Sequence, residues 1–100
     1  MAADGGFKLD RATPGALALS GTLGFATAAA ALRDLSEALR AGDRTQLDLA
    51  GVRSSDSAGL ACMLAVLAEA RGRGQDVGLL HVPEGMRTLA QVSGVEALLG

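Results

Sequence analysis

The sequence predicts an α/β fold: a single domain on a mixed β-sheet of about four strands, in the order β-β-α-β-α-β-α, with helices packed on the sheet. Three observations carry that expectation. Residues 16–23 alternate apolar and small polar side chains with the period of two that marks a strand. From Ala26 the apolar residues change to helical spacing. The rest of the chain then alternates strand-like and helix-like stretches, and such alternation requires right-handed crossovers between parallel strands.

Taken in order, residues 1–6 are expected to form a flexible N-terminus and residues 7–100 the domain. Phe7–Ala12 reads as a short strand. Thr13-Pro14-Gly15 is a turn, because Pro presets one dihedral and Gly supplies a positive φ. The strand Ala16–Leu23 completes a hairpin, with Leu17, Leu19, Gly21 and Leu23 on one face and Ala16, Ala18, Ser20 and Thr22 on the other. A helix follows over 26–41. Ala28, Leu32, Leu35 and Leu39 form its apolar stripe, Arg33, Asp34, Glu37 and Arg40 its wet side, and Gly42 its C-terminal stop.

Thr45–Ala50 reads as the third strand and Gly51–Asp56 as a polar loop. Ser57 is then the expected N-cap of a second helix running to about Arg71, ended by Gly72-Arg73-Gly74 with basic residues where the macrodipole favours them. Val77–Val82 is almost continuously apolar, the pattern of a strand covered on both faces, and Pro83 closes it. Glu84–Ser93 places Met86, Leu89 and Ala90 at helical spacing. Gly94 and an apolar tail of Val95, Leu98 and Leu99 follow.

Composition narrows the function classes. One hundred residues, 49% hydrophobic, suffice for one core. Twenty Ala and seventeen Leu supply most of its mass, with no Ile, Trp or Tyr and two Phe. A net charge of -2 and a pI near 5.2 argue against a nucleic-acid partner, which calls for a basic stripe and aromatic platforms. The longest apolar run, Ala58–Ala68, falls well short of the roughly 20 residues of a spanning helix, and no basic segment leads into an apolar one at the N-terminus. A soluble, unsecreted chain without direct membrane insertion is expected. Cys62 is the sole cysteine, which fits a reducing compartment, and cytoplasm is the expected location. Eight Arg against one Lys, with abundant Ala and Gly, points to a GC-rich bacterial genome.

The stretch Asp48-Leu49-Ala50-Gly51-Val52, three polar residues, then Asp56-Ser57-Ala58-Gly59-Leu60 is the place where chemistry could reside. A serine at a helix start lies over unpaired backbone N–H groups. Ser57 therefore reads either as a cap or as a regulated, partner-contacting serine whose phosphate would face the positive end of the helix dipole. It does not read as an esterase nucleophile: the strained elbow needs glycine two residues before and after, and Ser55 occupies the first of those positions. The only imidazole, His81, lies in the last apolar strand, where a structural role is the plainer reading. One Cys and one His leave no metal-ligand spacing, and Gly72-Arg73-Gly74 lacks the spacing of a phosphate loop. No cofactor is expected. In the second helix, Leu60, Met63, Leu64 and Leu67 form the core stripe, yet Ala61, Cys62, Ala65 and Val66 make the opposite face apolar as well. That patch is covered either by the chain itself or by a partner.

These residues, with the closing Pro83–Leu99, resemble the STAS domain of sulfate transporters and anti-sigma factor antagonists over essentially the whole chain. In the antagonist branch, the Ser or Thr directly after the Asp is phosphorylated by a partner kinase that is also the anti-sigma factor, and the resemblance places that role on Ser57. A phosphate beside Asp56 would break an interface by repulsion and desolvation. The chain is also similar to the MlaB-like STAS subunit of the bacterial phospholipid ABC transporter, in its Asp-Ser-Ala-Gly-Leu block, its closing Leu89-Ala90-Gln91-Val92-Ser93-Gly94-Val95 and its end at Leu99-Gly100. Many family members carry Gly-Glu-Leu-Asp where this chain has Gly21-Thr22-Leu23-Gly24. The missing acids favour the transporter branch.

The resemblance thus implies a non-enzymatic, cytoplasmic interaction domain, held peripherally at the inner membrane through its partner, the ATPase subunit of the transporter. Its partner-binding residues would be Asp56, Ser57, Ala58, Ala61, Cys62, Ala65 and Val66. The alternative is an anti-sigma factor antagonist whose partner is a serine kinase acting on Ser57. A small hydrolase using Ser57 and His81 is a third reading.

Overall fold

The computed structural model describes residues 6–42 and 45–99. The described elements are β1 (Phe7–Asp10), β2 (Ala16–Leu23), α1 (Ala28–Leu39), β3 (Gln46–Ser55), α2 (Ser57–Gly72), β4 (Gly78–Leu80), α3 (Glu84–Val92) and a closing 3-10 turn, Glu96–Leu99. The four strands form one sheet in the order β1-β2-β3-β4, with β1 antiparallel to β2 and the other two pairings parallel. This is the predicted mixed sheet. Most of the flexible N-terminus expected at 1–6 lies outside the described residues. Gly6 lies within them, and its carbonyl accepts from Thr22 N–H at 2.9 Å.

The hairpin closes as its turn residues require, with Ala16 N–H bonded to Thr13 O at 3.2 Å and Gly15 at φ 80. β1 stops at Asp10 rather than Ala12 because the Asp10 carboxylate accepts from Ala12 N–H at 2.8 Å and bends the chain away from the ladder. α1 is shorter than the expected 26–41. Its entry is a turn in which Thr27 Oγ1 accepts from Gly24 N–H at 2.9 Å and donates to Thr22 O at 3.0 Å, so regular helix starts at Ala28.

β3 is longer than predicted. The polar stretch expected as a loop from Gly51 is strand as far as Ser55, because β2 runs on to Leu23 and pairs Thr22 with Ser54 and Leu23 with Ser55. Two irregularities in register give β3 one extra residue each relative to β2: Ala18 and Ser20 pair with Asp48 and Gly51, and Gly21 and Thr22 pair with Val52 and Ser54. These bulges break the period of two, and the first of them turns Val52 rather than Gly51 inward after Leu47 and Leu49.

β4, in contrast, is short. Only Gly78–Leu80 pair, at a sheet edge where Leu79 and Leu80 are half-buried rather than covered on both faces. His81 leaves the strand at a left-handed φ of 56, uncommon for a residue with a side chain. It therefore lies beyond the strand in which the sequence placed it.

One face of the sheet carries the core. Leu17, Leu19 and Leu23 of β2 and Leu47, Leu49 and Val52 of β3 meet Leu35 and Leu39 of α1, Met63 and Val66 of α2, and Met86 of α3 in one buried cluster. Each fully buried leucine contributes about 1.5–3 kcal/mol relative to exposure. The alternate positions, Ala18, Ser20, Gln46 and Asp48 among them, face away from the helices and are half-buried or exposed.

Candidate functional site

α2 begins where β3 ends, and a single residue joins them. Asp56 has extended backbone dihedrals (φ -131, ψ -168) and is the N-cap of α2. Its Oδ1 accepts from the N–H groups of Ala58 at 2.9 Å and Gly59 at 3.2 Å. Its Oδ2 accepts from Phe25 N–H at 3.2 Å, tying the loop after β2 to the helix start. The carboxylate is held below the ordinary Asp value, chiefly by the Phe25 and Gly59 N–H groups. The expectation that Ser57 caps the helix is thereby corrected: Ser57 is already helical, and the side chain one residue earlier, on the extended backbone that a cap needs, takes the free N–H groups.

Two glycines permit this closeness. A Cβ on Gly24 would lie 2.9 Å from Asp56 Oδ2, and one on Gly59 would overlap the Leu23 carbonyl oxygen at the end of β2. The Asp-Ser-Ala-Gly-Leu block is thus a joint. The Asp caps, the Gly admits the strand end, and Leu60 enters the core. Ser57 is left exposed on the first turn of α2 with nothing structural required of its hydroxyl.

The remaining candidate residues divide. Ala61 and Ala65 are exposed and Ala58 is half-buried, whereas Cys62 and Val66 are buried at 4% and 1% exposure. The apolar second face of α2 is therefore partly covered from within, because α1 packs across it. Val66 joins the core, and Cys62 Sγ–H donates to Ala28 O at 3.5 Å. Burial pushes the Cys62 thiol up to about 11. What stays open is a groove of about 440 Å³ between Ala28, Ala29 and Leu32 of α1 and Ala58, Ala61 and Ala65 of α2, with Phe25 at its end.

The sequence reading missed Phe25, which is 87% exposed at the mouth of this groove. A signal was present. Phe25 is one of two aromatic residues in the chain, and it falls between the last strand residue and the helix stripe, in no apolar period.

His81 and Ser57 are not brought together. His81 Nδ1 lies 2.8 Å from Asp48 Oδ1 near the start of β3, whereas Ser57 follows the end of that strand, about 20 Å away at strand rise. Asp48 also accepts from Ala50 N–H at 2.9 Å, and these two contacts, the Ala50 N–H first, hold its carboxyl below the ordinary value. The hydrolase reading has no geometry to support it. Among the described residues no group of three metal-ligating side chains converges, and no helix is long and apolar enough to cross a membrane.

A family model described as "Mlab, STAS domain" matches residues 9–100 of the chain. No curated protein matches it. Among solved structures, the fold is similar to the anti-sigma factor antagonist SpoIIAA in its unphosphorylated form, at 21% identity and a TM-score of 0.63, over 85% of this chain and 81% of that one. It is similar also to the Bacillus cell fate determinant SpoIIAA in the phosphorylated form, at 22% identity and a TM-score of 0.66, over 92% of this chain and 86% of that one. At such identity the likeness is one of fold.

Proposed function

This chain belongs to the STAS domain family in its Mlab branch, and on that premise we propose that it is a non-enzymatic accessory subunit that docks on the cytoplasmic ATPase of a phospholipid ABC transporter. The observation that supports this most is the apolar groove between α1 and α2, which runs beside Ser57 and ends at the exposed Phe25. A small soluble domain has little reason to leave such a surface uncovered except to place it against a partner. The docking residues are Asp56, Ser57, Ala58, Ala61 and Ala65, to which Phe25 is added, while Cys62 lines the groove from beneath and Val66 belongs to the core behind it. In this reading the chain is cytoplasmic and reaches the inner membrane only through its partner.

The test is co-purification of the tagged ATPase with variants of this chain. Ala65→Glu places an unpaired carboxylate in a desolvated contact and should weaken binding about a hundredfold or more. The isolated domain should melt as before, because Ala65 is exposed. Ser57→Glu should weaken binding as well while leaving the fold intact, since an acid in the first helical turn suits the dipole. Retention of the ATPase at wild-type strength by both variants would remove this surface from the interface.

One observation favours a second reading, an anti-sigma factor antagonist switched by phosphorylation. Ser57 is exposed and free of any capping duty, so a kinase could reach it without unfolding the joint. Incubation with the serine kinase encoded nearest this gene, followed by mass spectrometry of the Ser57 peptide, separates the two.

A further inference from the structure

The face of the sheet away from the helices holds a second hollow, of about 460 Å³, that the docking surface does not use. Its floor is Ser20, Gly21 and Gly51, and its walls carry Lys8 of β1 and Arg53 of β3. The register explains why it exists. Lys8 pairs with Ser20 and Ser20 with Gly51, so these three residues form one row across the sheet, in which the middle side chain is small and the third is absent. A Cβ on Gly51 would lie 2.6 Å from Ser20 Cβ, so the row cannot be filled without moving backbone.

Arg53 is the extra residue of the second bulge: Val52 pairs with Gly21 and Ser54 with Thr22, leaving Arg53 with no partner position on β2. A bulge re-aims the side chain it carries, and here that side chain lines the hollow opposite Lys8. Among the described residues neither cation has an ion-pair partner. The nearest acid along β1, Asp10, turns its carboxylate onto Ala12 N–H. Two cations of different geometry, without an ion-pair partner among the described residues, thus flank a cavity floored by a hydroxyl and glycine backbone, on a chain of net charge -2.

We propose that this hollow binds a phosphate group, held between the Lys8 ammonium and the Arg53 guanidinium, with the Ser20 hydroxyl as a further donor. The chemistry fits phosphate better than carboxylate. A tetrahedral anion offers oxygens to a guanidinium fork on one side and to a point charge on the other at once, and both contacts are charge-assisted. The same chemistry serves a free phosphate ester and a phospholipid headgroup, and the hollow opens on the sheet face turned away from the described helices. This site lies on the side of the sheet opposite the α1–α2 groove, so it stands or falls independently of the docking proposal.

The test uses the whole chain. Backbone amide shifts of Ser20, Gly21 and Gly51 are followed by NMR during titration with inorganic phosphate and glycerol 3-phosphate, and sedimentation is measured with vesicles of phosphatidylglycerol and of phosphatidylcholine. Saturable shifts confined to those amides, weakened about tenfold or more in Lys8→Gln and in Arg53→Gln but not in Arg71→Gln, support the site with a soluble phosphate as its ligand. Sedimentation with the phosphatidylglycerol vesicles alone, lost in the same two variants and kept in Arg71→Gln, supports it with a headgroup as its ligand. Arg71 is an exposed cation at the end of α2 and controls for net charge. No saturable response in either arm, or equal weakening in all three variants, overturns the proposal. Melting curves of each variant confirm that the fold is kept.

Discussion

Gly59→Ala tests whether the joint between β2 and α2 depends on close approach. The methyl group would overlap the Leu23 carbonyl oxygen and stand 3.0 Å from the Leu23 carbonyl carbon and 3.3 Å from its Cγ. The obstacle is mostly backbone, so no rotamer change relieves it. α2 must back away from the end of β2, stretching the 3.2 Å Asp56 contact to Gly59 N–H and loosening Leu60 in the core. Overpacking of this kind costs about 1–3 kcal/mol, while alanine's better helix propensity returns up to about 1 kcal/mol. Because the overlap is with backbone, the upper part of the overpacking range applies, about 2–3 kcal/mol, and the net loss is about 1–2 kcal/mol, or roughly 5–15 °C in Tm for a domain of this size. Gly72→Ala is the control. It lies on the same helix with nothing within 4 Å of its added Cβ, and it should be neutral or stabilising by up to about 1 kcal/mol. Thermal and urea melts of both variants provide the measurement. A Gly59→Ala domain melting at or above wild type would refute the reasoning, since propensity would then outweigh the contact.

Asp56→Ala should lower stability at neutral pH, and the gap to wild type should narrow in melts at about pH 2. The folded-state pKa is depressed, so the contribution is fully present above the ordinary Asp value of 3.8 and is lost as pH falls through the lower folded value. Ser57→Ala, by contrast, should leave the melt within about 0.5 kcal/mol of wild type, because the cap is not its own. Ser36 is 6% exposed within α1, and its Oγ has no hydrogen-bond partner among the described residues, so Ser36→Ala should stabilise the domain by about 1 kcal/mol in urea titration; a destabilised variant would mean that the hydroxyl is satisfied. The Cys62 thiol, pushed up to about 11 by burial, should resist a disulfide-exchange reagent at neutral pH in the native domain and react at once in urea. Rapid native labelling would show that the α1–α2 contact opens.

Much of the architecture was legible in the sequence because it is dictated locally. The bounds of β2 follow from alternation over residues 16–23, and Gly15 and Gly42 take the left-handed φ values of 80 and 83 that their turns demand. The helix stripes of Leu35 and Leu39 and of Met86 and Ala90 point to the core as their spacing implies. Each of these features depends on a residue and its near neighbours, whose sterics and periodicity act before any tertiary contact forms.

Other features depend on contacts that a period cannot contain. Gly51–Ser55 carries no strand signature, and pairing with the end of β2, by way of two bulges, makes it strand. The cap of α2 belongs to Asp56 rather than to the equally suitable Ser57, because the last residue of extended backbone supplies the cap, and β3 runs one residue from the helix start. The second face of α2 can be covered by the chain itself or by a partner as far as its own spacing shows, and Cys62 and Val66 are interior because a second helix crosses that side, which a stripe counted along one helix does not contain. Phe25 and Arg53 acquired their placements in the same way, the one left at the mouth of a groove by a loop bonded to a residue 31 positions away, the other turned outward by a bulge. Local sterics determined which elements this sequence forms. Which faces remain open, and so where it can bind, was decided only when strands and helices distant in sequence came into contact.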